Sequence, residues 1–170
     1  MSKLICVDAG HGGDDSGAPG NGILEKNITL KVAKEVGRIL EKQGISVIYT
    51  RTADKDVSLK QRCKTANNGN ADLFVSIHIN SSENKEARGT ETLCYSSNRL
   101  AELIQKYLLR YLKLKDRGVK ERKDLAVLNG TKMIAVLCEL AFLSNKEEAE
   151  FIKTDEFVKL SAEAVVKGIC

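Results

Sequence analysis

The sequence predicts an α/β protein, a single domain built on a mostly parallel twisted sheet with helices on both faces. Three observations carry that expectation. Strand-like apolar runs alternate with amphipathic helical runs along the whole chain. Two of the strand runs, ADLFVSIHIN (71–80) and MIAVLCELAF (133–142), are almost continuously apolar, as strands covered on both faces are. The 170 residues, 42% of them apolar, suit one core, and no repeat, linker or low-complexity tract divides them.

The elements follow in order. KLICVDA (3–9) reads as a first strand, and a glycine-rich loop, GHGGDDSGAPGNG, follows it. LEKNITLKVAKEVGRILEKQG reads as a helix: Leu24, Ile28, Val32, Val36 and Ile39/Leu40 make one apolar stripe, and Gly44 ends it. ISVIYT (45–50) is a second strand. Ser58 and Gln61 have capping-box spacing for a helix over 58–68. The run 71–80 is the third strand, with Phe74, Ser76, His78 and Asn80 on one face and Leu73, Val75, Ile77 and Ile79 on the other. TETLCYS (90–96) is a fourth strand and NRLAELIQKYLLRYLKL (98–114) a long amphipathic helix. The run 133–142 is expected at the centre of the sheet; helices near KEEAEFI and EFVKLSAEAVVKG complete the chain.

Composition excludes several classes. No run of 18 apolar residues exists, so no membrane span or membrane partner is expected. MSKLICVDAG is too short for the apolar core of a signal peptide, so synthesis in the cytoplasm without a signal peptide is expected. The five cysteines are odd in number and form no C-x-x-C pair; Cys6, Cys94 and Cys138 sit in apolar runs and read as reduced core thiols. Net charge is +4, and the basic run KLKDRGVKERKD (113–124) is diluted by Asp116, Glu121 and Asp124. It reads as a solvated loop, and without interleaved aromatics it gives no reason to expect a nucleic-acid partner. No obligate protein partner is evident either.

Sites in such sheets form outside the carboxyl ends of strands, and the unusual polar residues sit there. His11 follows the first strand, His78 lies near the end of the third, Glu139 interrupts the apolar run 133–142, and Glu25 starts the first helix. Each has a plainer alternative, except that Glu139 is costly to bury without a partner. His11 suits a turn, His78 a half-buried strand, and Glu25 the positive end of a helix dipole. Together, two histidines and a carboxylate form the donor set of a catalytic zinc site with a fourth position for water. Glu139 then suits a general base in metal-assisted amide hydrolysis. A non-enzymatic phosphate-binding loop is the competing reading, but the loop lacks both G-x-x-x-x-G-K-[ST] and G-x-G-x-x-G.

DAGHGGDDSGA, EKN, TR, the spaced L, R and AN before ADLFVSIHIN, GTE and CELAFLSN occur in this order from Ile5 to about Asn145. In these motifs the chain resembles the zinc-dependent N-acetylmuramoyl-L-alanine amidases of the type-3 class. The resemblance implies one zinc ion held by His11, Glu25 and His78, Glu139 as the catalytic glutamate, and a muramyl peptide of peptidoglycan as substrate. Ala9 stands where proline is common, and CELAF lacks a glycine often found two residues after the glutamate. The inhibitory helix of some relatives has no counterpart near NSSENKEARG, which implies an open cleft.

Asn80, Arg62, Asp8 and Leu125 are the candidates for contacting substrate or supporting the ligands. Asp8 is expected to partner a ligand histidine, Asn80 to orient His78 or meet a substrate amide, and Leu125 to line the groove or pack in the core. Arg51 and Arg62 are expected to bond carbonyls or pair with Asp54 or Asp56. Residues 1–170 are expected to form one catalytic amidase domain with no wall-binding module. A wall hydrolase without an export signal suggests a phage endolysin acting on a Gram-positive host, with a spore or vegetative autolysin as the alternative.

Overall fold

The computed structural model describes residues 3–170; Met1 and Ser2, part of the N-terminal stretch read above, lie outside the described residues. Six strands form the main sheet in the order β4-β1-β5-β8-β6-β7. They are β1 (Leu4–Ala9), β4 (Ser46–Tyr49), β5 (Leu73–Asn80), β6 (Thr90–Cys94), β7 (Asp116–Glu121) and β8 (Ile134–Phe142). Neighbours run parallel except β8 and β6, which are antiparallel. The sheet is therefore mostly parallel, and the apolar run 133–142 supplies an interior strand, β8.

Helices cover both faces. α1 (Glu25–Lys42), α3 (Arg99–Leu112) and α6 (Asp155–Ile169) pack on Leu73, Val75, Ile77 and Ile79 with Ile5 and Val7. α2 (Leu59–Asn68) and the single turn α4 (Ala126–Asn129) lie over Cys6, Phe74, Leu93 and Leu137. The period-2 alternation of β5 thus sorts its side chains between two cores, as the sequence pattern predicts. Ile28, Val32, Val36 and Leu40 of α1 are buried, whereas Leu24 stays 39% exposed because the helix starts one residue after it. The capping box of α2 forms in both directions: Gln61 N–H donates to Ser58 Oγ at 3.2 Å and Ser58 N–H to Gln61 Oε1 at 2.8 Å. Asn145 caps α5 (Lys146–Ile152) through its side chain.

Three elements depart from the expectation. The basic run is not a loop: its middle, Asp116–Glu121, is the edge strand β7. Charged side chains are tolerated, even favoured, on an edge, so apolar alternation is not required there. The glycine loop contains a small hairpin of β2 (Pro19–Gly20) and β3 (Ile23–Leu24). α4 falls in a stretch with no helical stripe. Cys6, Cys63, Cys94 and Cys138 are buried free thiols, and Cys170 is exposed. No helix among the described residues is long and apolar enough to cross a membrane.

Candidate active site

β1, β5 and β8 run in one direction, and their carboxyl ends gather His11, His78 and Glu139 at one edge of the sheet. His11 sits in the left-handed backbone region at φ 60°, a conformation histidine adopts more readily than most residues. Its Nδ1 lies 2.9 Å from Asp15 Oδ2, which turns Nε2 towards Glu25 Oε2 at 3.2 Å. Glu25 begins α1 and is 3% exposed. Its Oε2 accepts the Ala18 N–H at 3.0 Å, and its Oε1 accepts the Ile79 N–H at 2.9 Å and faces His78 Nδ1 at 3.0 Å. The two imidazoles meet edge to face with centroids 4.9 Å apart. Gly10 makes this possible, because a Cβ there would come within 2.4 Å of the His78 ring.

One donor atom from each of His11, Glu25 and His78 lies within 4.8 Å of the others. Tetrahedral zinc with bonds of about 2.0–2.1 Å separates its ligand atoms by about 3.3 Å, so the spacing suits that ion. Burial alone would make Glu25 harder to ionise. The facing imidazoles outweigh it and hold the carboxyl well below the usual range. Burial likewise works against a charged His11, yet Glu25 and Asp15 raise its pKa to about 9. The cluster therefore holds a carboxylate tightly and has a strong demand for positive charge.

Glu139 is the register partner of His78 on β5 and of Glu91 on β6. Its Oε2 is sealed from solvent and has no hydrogen-bond partner among the described residues. Burial above all raises its pKa to about 7; the carboxylates of Glu25 and Glu91 add to this and His78 opposes it. A register shift separates the His78–Glu139 pair from the Asn80–Phe142 pair, placing one extra residue in β8 just beyond Glu139. Such bulges re-aim neighbouring side chains. Buried Glu148 accepts the N–H of Phe142, at the far end of the bulge, and that of Gly89, just before β6, at 2.7 Å each.

The supporting residues are placed less as expected. Asp8 does not reach a histidine: its carboxylate accepts from Thr50 Oγ1, Ser76 Oγ and Arg62 Nη1 on the floor of the sheet. Asp15 holds His11 instead. Arg62 donates to the carbonyls of Ala9, His11 and Val57, and Arg51 to those of Ala9, Gly10, Lys26 and Ala53. Neither takes Asp54 or Asp56, which are used by Lys26 Nζ and by the N–H groups of Gly13 and Asp14. The arginines fasten the strand-to-loop corner that carries His11. Asn80 bonds Glu91 and Ser81 rather than His78. Leu125 lines a cavity of about 410 Å³ beside His11 and His78, together with Leu59, Val127 and Arg62. Sequence reasoning missed Asp15, Glu91 and Glu148. Only Glu148 left a signal, an Asn-x-x-Glu capping spacing after β8.

A family model described as N-acetylmuramoyl-L-alanine amidase matches residues 5–170. The chain belongs to the N-acetylmuramoyl-L-alanine amidase family. Among curated amidase-family relatives, it is 44% identical to an endolysin of Bacillus phage SPP1, over 99% of this chain and 65% of that protein. It is 38% identical to the N-acetylmuramoyl-L-alanine amidase LytC of Bacillus subtilis, over 99% of this chain but 35% of LytC. It also matches the uncharacterized protein YqiI of Bacillus subtilis at 42% identity, over 98% of this chain and 83% of YqiI. The amidase fold recurs in a crystal structure of an N-acetylmuramoyl-L-alanine amidase from Clostridium difficile 630. That match has a TM-score of 0.95 at 35% identity and covers 99% of this chain and 95% of the other. The catalytic domain of CwlV from Bacillus (Paenibacillus) polymyxa matches with a TM-score of 0.94 at 38% identity, covering 98% and 96%.

Proposed function

We propose that this chain hydrolyses the amide bond between N-acetylmuramic acid and the first L-alanine of peptidoglycan stem peptides. In this reading His11, Glu25 and His78 hold one zinc ion and Glu139 is the general base. The donor set fits: two imidazoles and one carboxylate leave a fourth position open. Bound there, zinc supplies Lewis acidity, polarising a carbonyl and lowering the pKa of water towards about 7. Family membership supports the substrate class.

The observation that carries the reading is Glu139. A carboxylate oxygen buried without a partner is costly and calls for a function. With its pKa raised to about 7, Glu139 can take a proton from the attacking water and hand it to the leaving nitrogen. Asp15 fixes the tautomer and tilt of His11, and Glu25, by accepting the Ile79 N–H, is tied to the end of the strand that carries His78. The cavity beside the histidines admits substrate next to these groups.

The test is digestion of purified peptidoglycan. New L-alanine amino termini with intact glycan strands are expected, and new reducing sugars would refute the reading. One equivalent of zinc should bind and be lost in His11→Ala and in His78→Ala. Glu139→Gln should keep fold and zinc while losing hydrolysis by about 10²–10⁴-fold. The relatives include a phage endolysin as well as bacterial wall amidases, so the proposal is confined to the reaction.

A further inference from the structure

We infer that strand β7 supplies an anion subsite for an ionised carboxylate on the peptide side of the scissile amide. The inference rests on the hydrolase reading above and adds which stem chemistry the site prefers and which way the substrate lies.

His78, Glu139 and Glu91 occupy one row across three adjacent strands, β5, β8 and β6. β7 comes next, and a register irregularity opposite Glu91 turns two cations onto that residue. Arg117 Nε donates to Glu91 Oε2 at 2.8 Å, and Lys120 Nζ bonds the same oxygen at 2.5 Å. Asn80 Nδ2 donates to Oε1 at 3.2 Å. Glu91 is 7% exposed, whereas the side chains of Arg117 and Lys120 are 29% and 43% exposed. Two cations thus share one buried carboxylate, and both keep part of their side chains open to solvent one strand beyond the Glu91 row. Arg122, farther along, closes on Asp124 with two bonds and adds no net charge. Glu91 holds both cations in place, so little side-chain entropy remains to be lost when an anion binds.

The other side of the histidines has the opposite character. There the cavity is lined by Leu59, Leu125 and Val127, with Asp15 and Asp56 among its lining residues. An anionic group is repelled from that side and attracted to β7, while an uncharged sugar suits the apolar cavity. The distances agree. Adjacent strands lie about 4.8 Å apart, and Glu91 is one strand away from Glu139, the general base beside the scissile bond in this reading. An extended peptide advances about 3.5 Å per residue, so a group borne one or two residues beyond the scissile bond reaches the β7 cations. In peptidoglycan the residue after L-alanine is a γ-linked D-glutamate, whose α-carboxyl group is either free or amidated. The free acid is the form this subsite selects.

The experiment compares two N-acetylmuramoyl pentapeptides, identical except for D-glutamate or D-isoglutamine at the second position, cleaved by the zinc-loaded protein. The wild type should favour the acid in kcat/KM by roughly three- to tenfold, the range for a partly exposed but preorganised ion pair. Lys120→Gln should narrow that ratio towards one, Lys120→Arg should restore it, and added salt should weaken it. Calorimetric titration of Glu139→Gln with both pentapeptides reads the same preference without turnover. Equal kcat/KM for both in the wild type, a preference for the amide, or a ratio untouched by Lys120→Gln would overturn the inference and leave the hydrolase reading standing. Cleavage of neither pentapeptide, with peptidoglycan also intact, would remove both.

Discussion

Replacing Arg62 by methionine tests how the His11 corner is built. Arg62 is 4% exposed and pairs with Asp8, which has no solvent exposure, at 2.8 Å. Removing one partner of a buried ion pair costs about 3–5 kcal/mol, because the other charge is left uncompensated. Here Asp8 keeps two short hydroxyl donors, Thr50 and Ser76, each at 2.6 Å, which argues for the lower part of that range. The Ala9 carbonyl keeps Arg51 Nε as a donor, and losing the partly buried bonds to the carbonyls of His11 and Val57 costs about 0.5 kcal/mol each. A total of about 4 kcal/mol follows. At about 2–4 °C per kcal/mol for a chain of this size, Tm should fall by about 8–16 °C. Circular dichroism melts at pH 7 measure this, with urea unfolding as a second route to the same free energy. Arg62→Met with Asp8→Asn should be more stable than Arg62→Met alone, since the stranded charge is gone. A Tm loss under about 3 °C, or no recovery in the double variant, would refute the reasoning.

Asp15→Ala frees His11 Nδ1 and should lower zinc affinity by about 10–100-fold with little change in Tm. A competitive chelator titration reads this, and an unchanged affinity would show that Asp15 does not orient the ring. In Gly10→Ala the new methyl group would lie within 2.4 Å of the His78 ring, so the imidazole must move. Zinc stoichiometry should fall even if the fold survives, and full occupancy at unchanged affinity would contradict the close approach. Glu91 gives a pH signature. Burial alone would raise its pKa, but Lys120 and Arg117 outweigh it and hold it below its ordinary 4.5. A depressed carboxyl stabilises the fold above the unfolded value and loses that contribution as pH falls through the folded one. The Tm advantage of wild type over Glu91→Gln should therefore be flat above about pH 6 and shrink below about pH 4. An advantage constant down to pH 3 would count against the cluster.

The fold was legible where burial writes a periodic pattern. The stripe Ile28, Val32, Val36, Leu40, the alternation of β5 and the Ser58–Gln61 box all appear as read. β7 was not legible, because Arg117 and Lys120 lie on an edge where solvation replaces burial and the charged run looks like a loop. The four residues His11, Glu25, His78 and Glu139 could be placed at one sheet edge because strand ends converge there in such folds. Their partners could not. Asp8 sits three residues from His11 in sequence, yet as a strand residue it faces the floor, while Asp15, across a turn, comes back to the ring. A glycine loop with positive φ at Gly12, Gly13 and Gly17 defeats inference from sequence distance. Glu91 becomes visible only once the antiparallel pairing of β6 to β8 is known.

The position of β8 between β5 and β6 has a consequence for biosynthesis. β5 ends at Asn80, but its neighbour ends at Phe142, after β6 and β7 have already been made. At about 5–20 residues per second, the nascent chain spends roughly 3–12 s with one edge of β5 unpaired and half its sheet unable to join the other. Exposed strand edges of that kind recruit other chains. Ribosome-bound intermediates of this protein should therefore be ready chaperone clients until β8 emerges, and the gap closes only when the strand that carries Glu139 slides between the two halves.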